Sequence, residues 1–172
     1  MDYIANQLRK ADRLSAITQR VGFALWQIQE LEGCAAQYFV LLTQARKGMG
    51  IADGNALVKN AQAKTFGSTI HQIAKAGLLS SEIETRFTAL LGERNWLVHR
   101  SRSGSRNAVH DDKAMMALVT RLDALADEAT ALLKEIGALT EHFVHQHGVS
   151  AQYIDKMSEQ LLEQWHAVDA TN

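Results

Sequence analysis

The chain has 172 residues, of which 47% are hydrophobic, and a formal net charge of −1. This length suits one domain with a substantial core, and the near-zero charge excludes a protein that binds nucleic acid through its overall electrostatic field. The chain contains no proline. Because proline breaks helix interiors and favours loops, its absence favours long helices with short connections.

Cysteine content, the first residues and the length of the apolar runs together predict a cytoplasmic protein without a membrane partner. The single cysteine, Cys34, cannot form an internal disulfide, which is typical of a reducing compartment. The first residues lack the pattern of a secretory signal peptide. The longest apolar run, 38–42, falls far short of the ~20 residues needed to cross a bilayer.

Apolar residues recur every three or four positions along most of the chain, which is the period of an amphipathic helix. We find neither an internal repeat nor strand-like alternation. We therefore predict an all-α helical bundle of about five or six helices in a single domain over 1–172. The pattern predicts helices over 3–20, 21–46, 53–63, 69–76, a segment ending near 100, 112–147 and 151–168, the last within a C-terminal 150–172 region.

Capping residues and composition predict the boundaries around the central helix. Ser81 with Glu84 has the spacing of a capping box and should begin the helix that ends near 100. The stretch 101–107 is rich in serine, arginine and glycine, which predicts a flexible loop. Asp111 or Asp112 then caps the next helix.

Any chemistry is expected in segment 93–99, which reads Glu-Arg-Asn-Trp-Leu-Val-His. Arg94 and His99 are five positions apart, so on one helix their side chains diverge by roughly 140° and are separated by ~7.5 Å of rise. Asn95 lies one turn before His99 on the same face. Gly92 precedes the segment inside a helical pattern, where close approach of another helix would explain a glycine.

Basic residues continue beyond this segment, and no acidic residue lies between 94 and 110. The local positive patch adds four residues that we predict to contact RNA: Arg100, Arg102, Arg106 and His110. A histidine can transfer a proton near neutral pH, and an arginine can stabilise charge on phosphoryl oxygens. RNA carries its own nucleophile, the 2′-hydroxyl, so such a site needs no metal. Alternatively, these basic residues only complement the dipole at a helix C-terminus.

An arginine and a histidine at this spacing are expected by chance in a chain of this composition, so the surrounding sequence decides the interpretation. Segment 90–100, Leu-Leu-Gly-Glu-Arg-Asn-Trp-Leu-Val-His-Arg, resembles the signature of HEPN-domain proteins: an arginine, a polar residue and then a histidine. The preceding stretch, 65–79, also resembles that family, and the HEPN-like core would span 65–147. The resemblance implies a dimer with two motifs facing each other, in which Arg94 and His99 are catalytic and Asn95 supports them.

The resemblance also implies a function. Many HEPN proteins are metal-independent endoribonucleases that serve as toxins or in phage defence, so the chain is predicted to cut RNA as a homodimer without a cofactor. An antitoxin protein would then be a further partner. One subgroup carries a modified tyrosine two positions after the histidine, where this chain has Ser101. Two alternatives remain: a HEPN-like module that binds RNA, a nucleotide or a protein without cutting, and a helical scaffold with no nucleic-acid role.

Two further features could bind ligands. Trp96 could stack on an RNA base, although a tryptophan in this position is also typical of a core or a dimer interface. A cluster near the end of a helix comprises Glu141, His142, His145 and His147. A di-iron bundle needs two Glu-x-x-His motifs and two further carboxylates, whereas we find one such motif, at 163–166. We therefore predict a solvated polar face there and no metal site.

Overall fold

Long helices dominate the computed structural model, which describes residues 2–169 and is 86% helical without a strand in that range. The predicted all-α fold class is therefore confirmed. Among the described residues, the α-helices exceed the five or six expected because 101–104 forms a one-turn helix of its own. In chain order the elements are α1 (Asp2–Thr43), α2 (Ile51–Gln62), α3 (Phe66–Lys75), α4 (Ser81–His99), α5 (Ser101–Gly104), a 3-10 helix (Arg106–Val109), α6 (Asp112–Gln146) and α7 (Ala151–Asp169).

Side-chain caps fix where the central helices begin. The hydroxyl of Ser80, and not that of Ser81, accepts a hydrogen bond from the Ile83 N–H at 3.3 Å, so α4 begins one residue earlier than the capping box predicts. Asp111 is the cap of α6, because its carboxylate accepts from the Ala114 N–H at 2.7 Å. Both caps satisfy backbone donors that a helix start leaves without a helical partner.

The prediction of a flexible loop over 101–107 is wrong. Residues 101–104 continue the chain as α5, with the Gly104 N–H donating to the Arg100 carbonyl at 2.9 Å. The 3-10 helix follows directly, and its Ala108 is fully buried. The composition gave a wrong prediction because small polar residues also occur in short helical turns. Here one buried alanine holds such turns against neighbouring helices.

The chain divides into two units, Met1–Ile136 and Gly137–Asn172, and the boundary falls inside α6. In the first unit α1 packs against α2, α3, α4 and the 3-10 helix, and α3 packs against α4. The largest fully buried side chains come from α1, α3, α4 and α6, and they are Ile28, Leu31, Ile73, Phe87, Leu90, Leu122, Leu132 and Ile136. The apolar stripes of the long helices therefore form the core of this unit, and Ala36, Val40 and Ala61 form a further small cluster between α1 and α2.

Ion pairs join the first part of α6 to its neighbours. Arg86 of α4 contacts Glu128 through Nε at 2.7 Å and Nη2 at 3.1 Å, and it also contacts Glu135. These two carboxylates raise the pKa of the Arg86 guanidinium. Arg20 of α1 lies 3.2 Å from Asp123. Buried apolar contacts thus position α4, which carries the candidate site, and the ion pairs of Arg86 add a polar link to α6.

The second unit contains the end of α6 and helix α7, which are joined through Gly148 at φ +85°. A left-handed glycine is a common end for a helix. Residues 170–172 of the predicted C-terminal region lie outside the described residues. No helix in the described part of the chain is both long and apolar enough to cross a membrane.

Candidate active site

The Arg94–His99 segment forms the last two turns of α4. Leu90 just before this segment and Leu97 inside it are buried, and they fix the rotation of the helix about its axis. The helix is continuous from Ser81 to His99, so the divergence of Arg94 and His99 expected from their spacing applies here. The two side chains therefore leave the helix in different directions.

Arg94 lies in a cleft between α1, α3 and α4, which we call the Arg94 cleft. Its volume is about 440 Å³, and its lining includes Glu32, Lys64, Phe66, Leu91, Arg94 and Asn95. The Arg94 side chain is 32% exposed, and its Nε lies 3.4 Å from a carboxylate oxygen of Glu32 on α1. The cleft thus brings together two cations and one carboxylate, and the arginine is oriented by a contact that no local sequence pattern predicts.

Burial outweighs the ion pair in setting the protonation of Glu32. Loss of water raises the pKa of this carboxyl above its usual value of 4.5, although the charge and hydrogen bond of Arg94 act in the opposite direction. Between the pKa of the unfolded chain and the higher pKa of the folded protein, the folded protein keeps this proton and the unfolded chain has released it. In that pH range folding stability falls as pH rises. Folding therefore disfavours the ionised form of Glu32 relative to its protonated form.

His99 borders a second cleft along α4 that adjoins the first, and we call it the His99 cleft. It has a volume of about 480 Å³ and is lined by Gly92, Asn95, Trp96, His99 and Arg100. Asn95, His99 and Arg100 are exposed. A Cβ atom added to Gly92 would meet no heavy atom within 4 Å, so the expected close approach of another helix at this glycine does not occur within the described chain.

Asn95 connects the two halves of the predicted site. It lines both the Arg94 cleft and the His99 cleft, whereas Arg94 lines only the first of this pair and His99 only the second. The structure thus places the three predicted catalytic residues on one helix but does not bring the arginine and the histidine into one cleft of a single protomer.

Trp96 has one ring face covered by a cation. The Arg121 guanidinium of α6 lies 3.4 Å from the ring centroid, which is a cation–π contact. Glu93 holds that guanidinium through two hydrogen bonds of 2.7 and 2.9 Å. Only the remaining face of the indole could stack on a base, and the observed contacts make Trp96 a link between α4 and α6.

The four other predicted RNA contacts do not form one patch around His99. Arg100 borders the His99 cleft, but Arg102 and Arg106 border a different cavity of about 550 Å³. That cavity is largely apolar, and its lining includes Leu14, Ile17, Val21, Val109 and Leu118. His110 is exposed at the end of the 3-10 helix. The basic residues are thus distributed around α5 and the 3-10 helix and are not concentrated at one surface.

The histidine cluster of the second unit is held by local contacts. The Nδ1 atom of His145 lies 2.7 Å from the Val149 carbonyl, and its Nε2 lies 3.4 Å from Glu141. The Nδ1 of His147 lies 2.8 Å from the Phe143 carbonyl. His142 contacts Gln146 through Nε2 at 2.9 Å. Within residues 2–169, no three acidic, histidine or cysteine side chains are arranged to hold a metal ion.

Sequence reasoning missed Glu32 and Lys64, which share the Arg94 cleft. One signal for Glu32 was available, because it stands on the inward-facing stripe of α1 between the buried residues Leu31 and Ala35. A charged residue on an apolar stripe suggests a partner. Comparisons with protein-family models, curated proteins and solved structures find no match to this chain.

Proposed function

We propose that the chain is a metal-independent endoribonuclease that acts as a homodimer. The observation that carries the proposal is the position of Arg94, Asn95 and His99 on two adjoining clefts of one helix. Arg94 and His99 would then meet at one phosphodiester when a second copy of α4 faces the first. The open space beside Gly92 is available to RNA or to that second copy.

The reaction requires only groups that the protein, the RNA and water supply. His99 takes the proton from the 2′-hydroxyl or gives a proton to the departing 5′-oxygen, and water supplies or accepts the other proton. The 2′-oxygen forms a bond to phosphorus as the bond to the 5′-oxygen breaks, which yields a 2′,3′-cyclic phosphate and a 5′-hydroxyl. The Arg94 guanidinium stabilises the negative charge that develops on the phosphoryl oxygens, and Asn95 orients the substrate between them.

The finer parts of the proposal rest on the resemblance to HEPN proteins. The nuclease would act as a toxin or defence effector, and an antitoxin protein would restrain it. It would work in the cytoplasm, where the free thiol of Cys34 suits a reducing environment.

Cleavage in a chelator tests the chemistry. The wild-type protein is expected to cut RNA in EDTA and to leave 2′,3′-cyclic phosphate ends, which can be identified by mass spectrometry of the products. A matched RNA with a single 2′-deoxynucleotide at the cleaved position should resist cutting there, because it lacks the nucleophile. Loss of activity in EDTA, or cleavage at the deoxy position, would contradict the mechanism. Salt-dependent RNA binding without product would favour the binding module instead.

A further inference from the structure

Glu32 is the charged group that α1 contributes to the Arg94 cleft. Its side chain is 28% exposed and approaches Arg94 from a helix that is distant in sequence. Leu31 is fully buried beside it, so the backbone of α1 is fixed at this point and the carboxylate has a defined place. Glu32 is therefore built into the fold and is not a mobile surface acid.

The two arginines of α4 differ in how their guanidinium groups are used. Arg86 engages Nε, Nη1 and Nη2 with Glu128 and Glu135, as expected for an arginine that joins helices. Arg94 makes its closest approach to Glu32 through the inner nitrogen, Nε, at 3.4 Å. A contact through Nε allows the terminal nitrogens to bind an acceptor in the cleft, and a phosphate is an acceptor that a guanidinium fork binds with two hydrogen bonds.

The environment of Glu32 is unfavourable for a charge. Burial raises the pKa of Glu32 despite the nearby arginine, so folding disfavours its ionised form relative to its protonated form. A charge that folding disfavours, in an open cleft beside a candidate catalytic arginine, points to a role in the site.

We propose that Glu32 is a positioning residue for RNA cleavage, which holds Arg94 by Nε so that its terminal nitrogens meet the scissile phosphate. This inference rests on the proposed function. The carboxylate touches the arginine and not the substrate, so it acts on the rate through the orientation of Arg94. Misplacing a charge-stabilising group by about 1 Å can cost up to about 100-fold in rate.

Kinetics of Glu32→Gln test the proposal, with Glu128→Gln as a matched control that weakens an arginine contact on the same helix outside the clefts. Glu32→Gln is expected to lower kcat by about 10- to 100-fold with little change in KM, and to melt at the same temperature as wild type or higher. Glu32→Asp, which keeps the charge, should recover part of kcat. Glu128→Gln should keep wild-type kcat below its melting temperature.

A spectroscopic readout tests positioning independently of turnover. The Arg94 Nε–H resonance in a 1H–15N spectrum should shift in Glu32→Gln and remain in place in Glu128→Gln. Unchanged kcat in Glu32→Gln with active wild type would overturn this inference alone, and so would a rise in kcat, because Glu32 would then compete with the phosphate. An equal fall in kcat in both variants would also overturn it. If wild type cuts no RNA, the proposed function and this inference fail together.

Discussion

Replacing His99 by alanine is expected to lower the rate of RNA cleavage by about 10²- to 10⁴-fold, which is the usual contribution of a positioned acid or base. His99 is exposed at the last residue of α4 and borders an open cleft. Its removal therefore leaves no cavity in the core, and the melting temperature should remain close to that of wild type. The loss should appear in single-turnover cleavage measured in EDTA.

A second histidine provides the control for this experiment. His71 is exposed on α3 and borders neither the Arg94 cleft nor the His99 cleft. His71→Ala should cut RNA at the wild-type rate, because it removes an imidazole without touching either cleft. Equal rates for His99→Ala and wild type would exclude His99 as the acid or base. RNA binding that survives His99→Ala without any product in either protein would favour a binding module.

Replacing Phe87 by alanine is expected to lower the free energy of unfolding by about 3–5 kcal/mol, as for other buried aromatic side chains. Phe87 is fully buried on α4 and packs edge-to-face against Phe66 of α3, with ring centroids 6.1 Å apart. Because Phe66 also lines the Arg94 cleft, the cavity would loosen the wall of the candidate site. The loss is a large share of the stability of an ordinary domain and can be measured by urea denaturation.

The neighbouring residue on α4 provides the matched control. Thr88 is exposed, and its hydroxyl donates to the Glu84 carbonyl within the same helix. Thr88→Ala should change the free energy of unfolding by no more than about 0.5 kcal/mol. A comparably small effect for Phe87→Ala would contradict the packing of α3 on α4 described above.

Much of the fold follows from local sequence, because helix periodicity and caps are local properties. The apolar period predicts helix over 3–20 and over 21–46, and the structure joins these stretches into the single helix α1, which ends at Thr43. The cap of α4 differs by one residue because two adjacent serines, Ser80 and Ser81, can each accept the capping hydrogen bond, whereas only Ser81 has a glutamate three positions on. Only the backbone geometry decides which hydroxyl accepts the hydrogen bond.

The candidate site divides into a part that sequence predicts and a part that it does not. Arg94, Asn95 and His99 lie on one helix, so a local motif was enough to select them. The pairing of Glu32 with Arg94 depends on how α1 packs against α4, and no local pattern contains that information. The predicted basic patch does not form as one surface for the same reason. Arg102 and Arg106 are close to Arg100 in sequence but border a different cavity.

The central claim is that one catalytic site takes Arg94 from one protomer and His99 from another. Arg94→Ala and His99→Ala are each expected to cut RNA at least about 100-fold more slowly than wild type. After the two variants are unfolded together and refolded, half of the dimers contain one of each, and each mixed dimer has one site with both residues intact. The mixture should then cut RNA at about a quarter of the wild-type rate, as two-fold symmetry requires. A mixture no more active than either variant alone would contradict the claim.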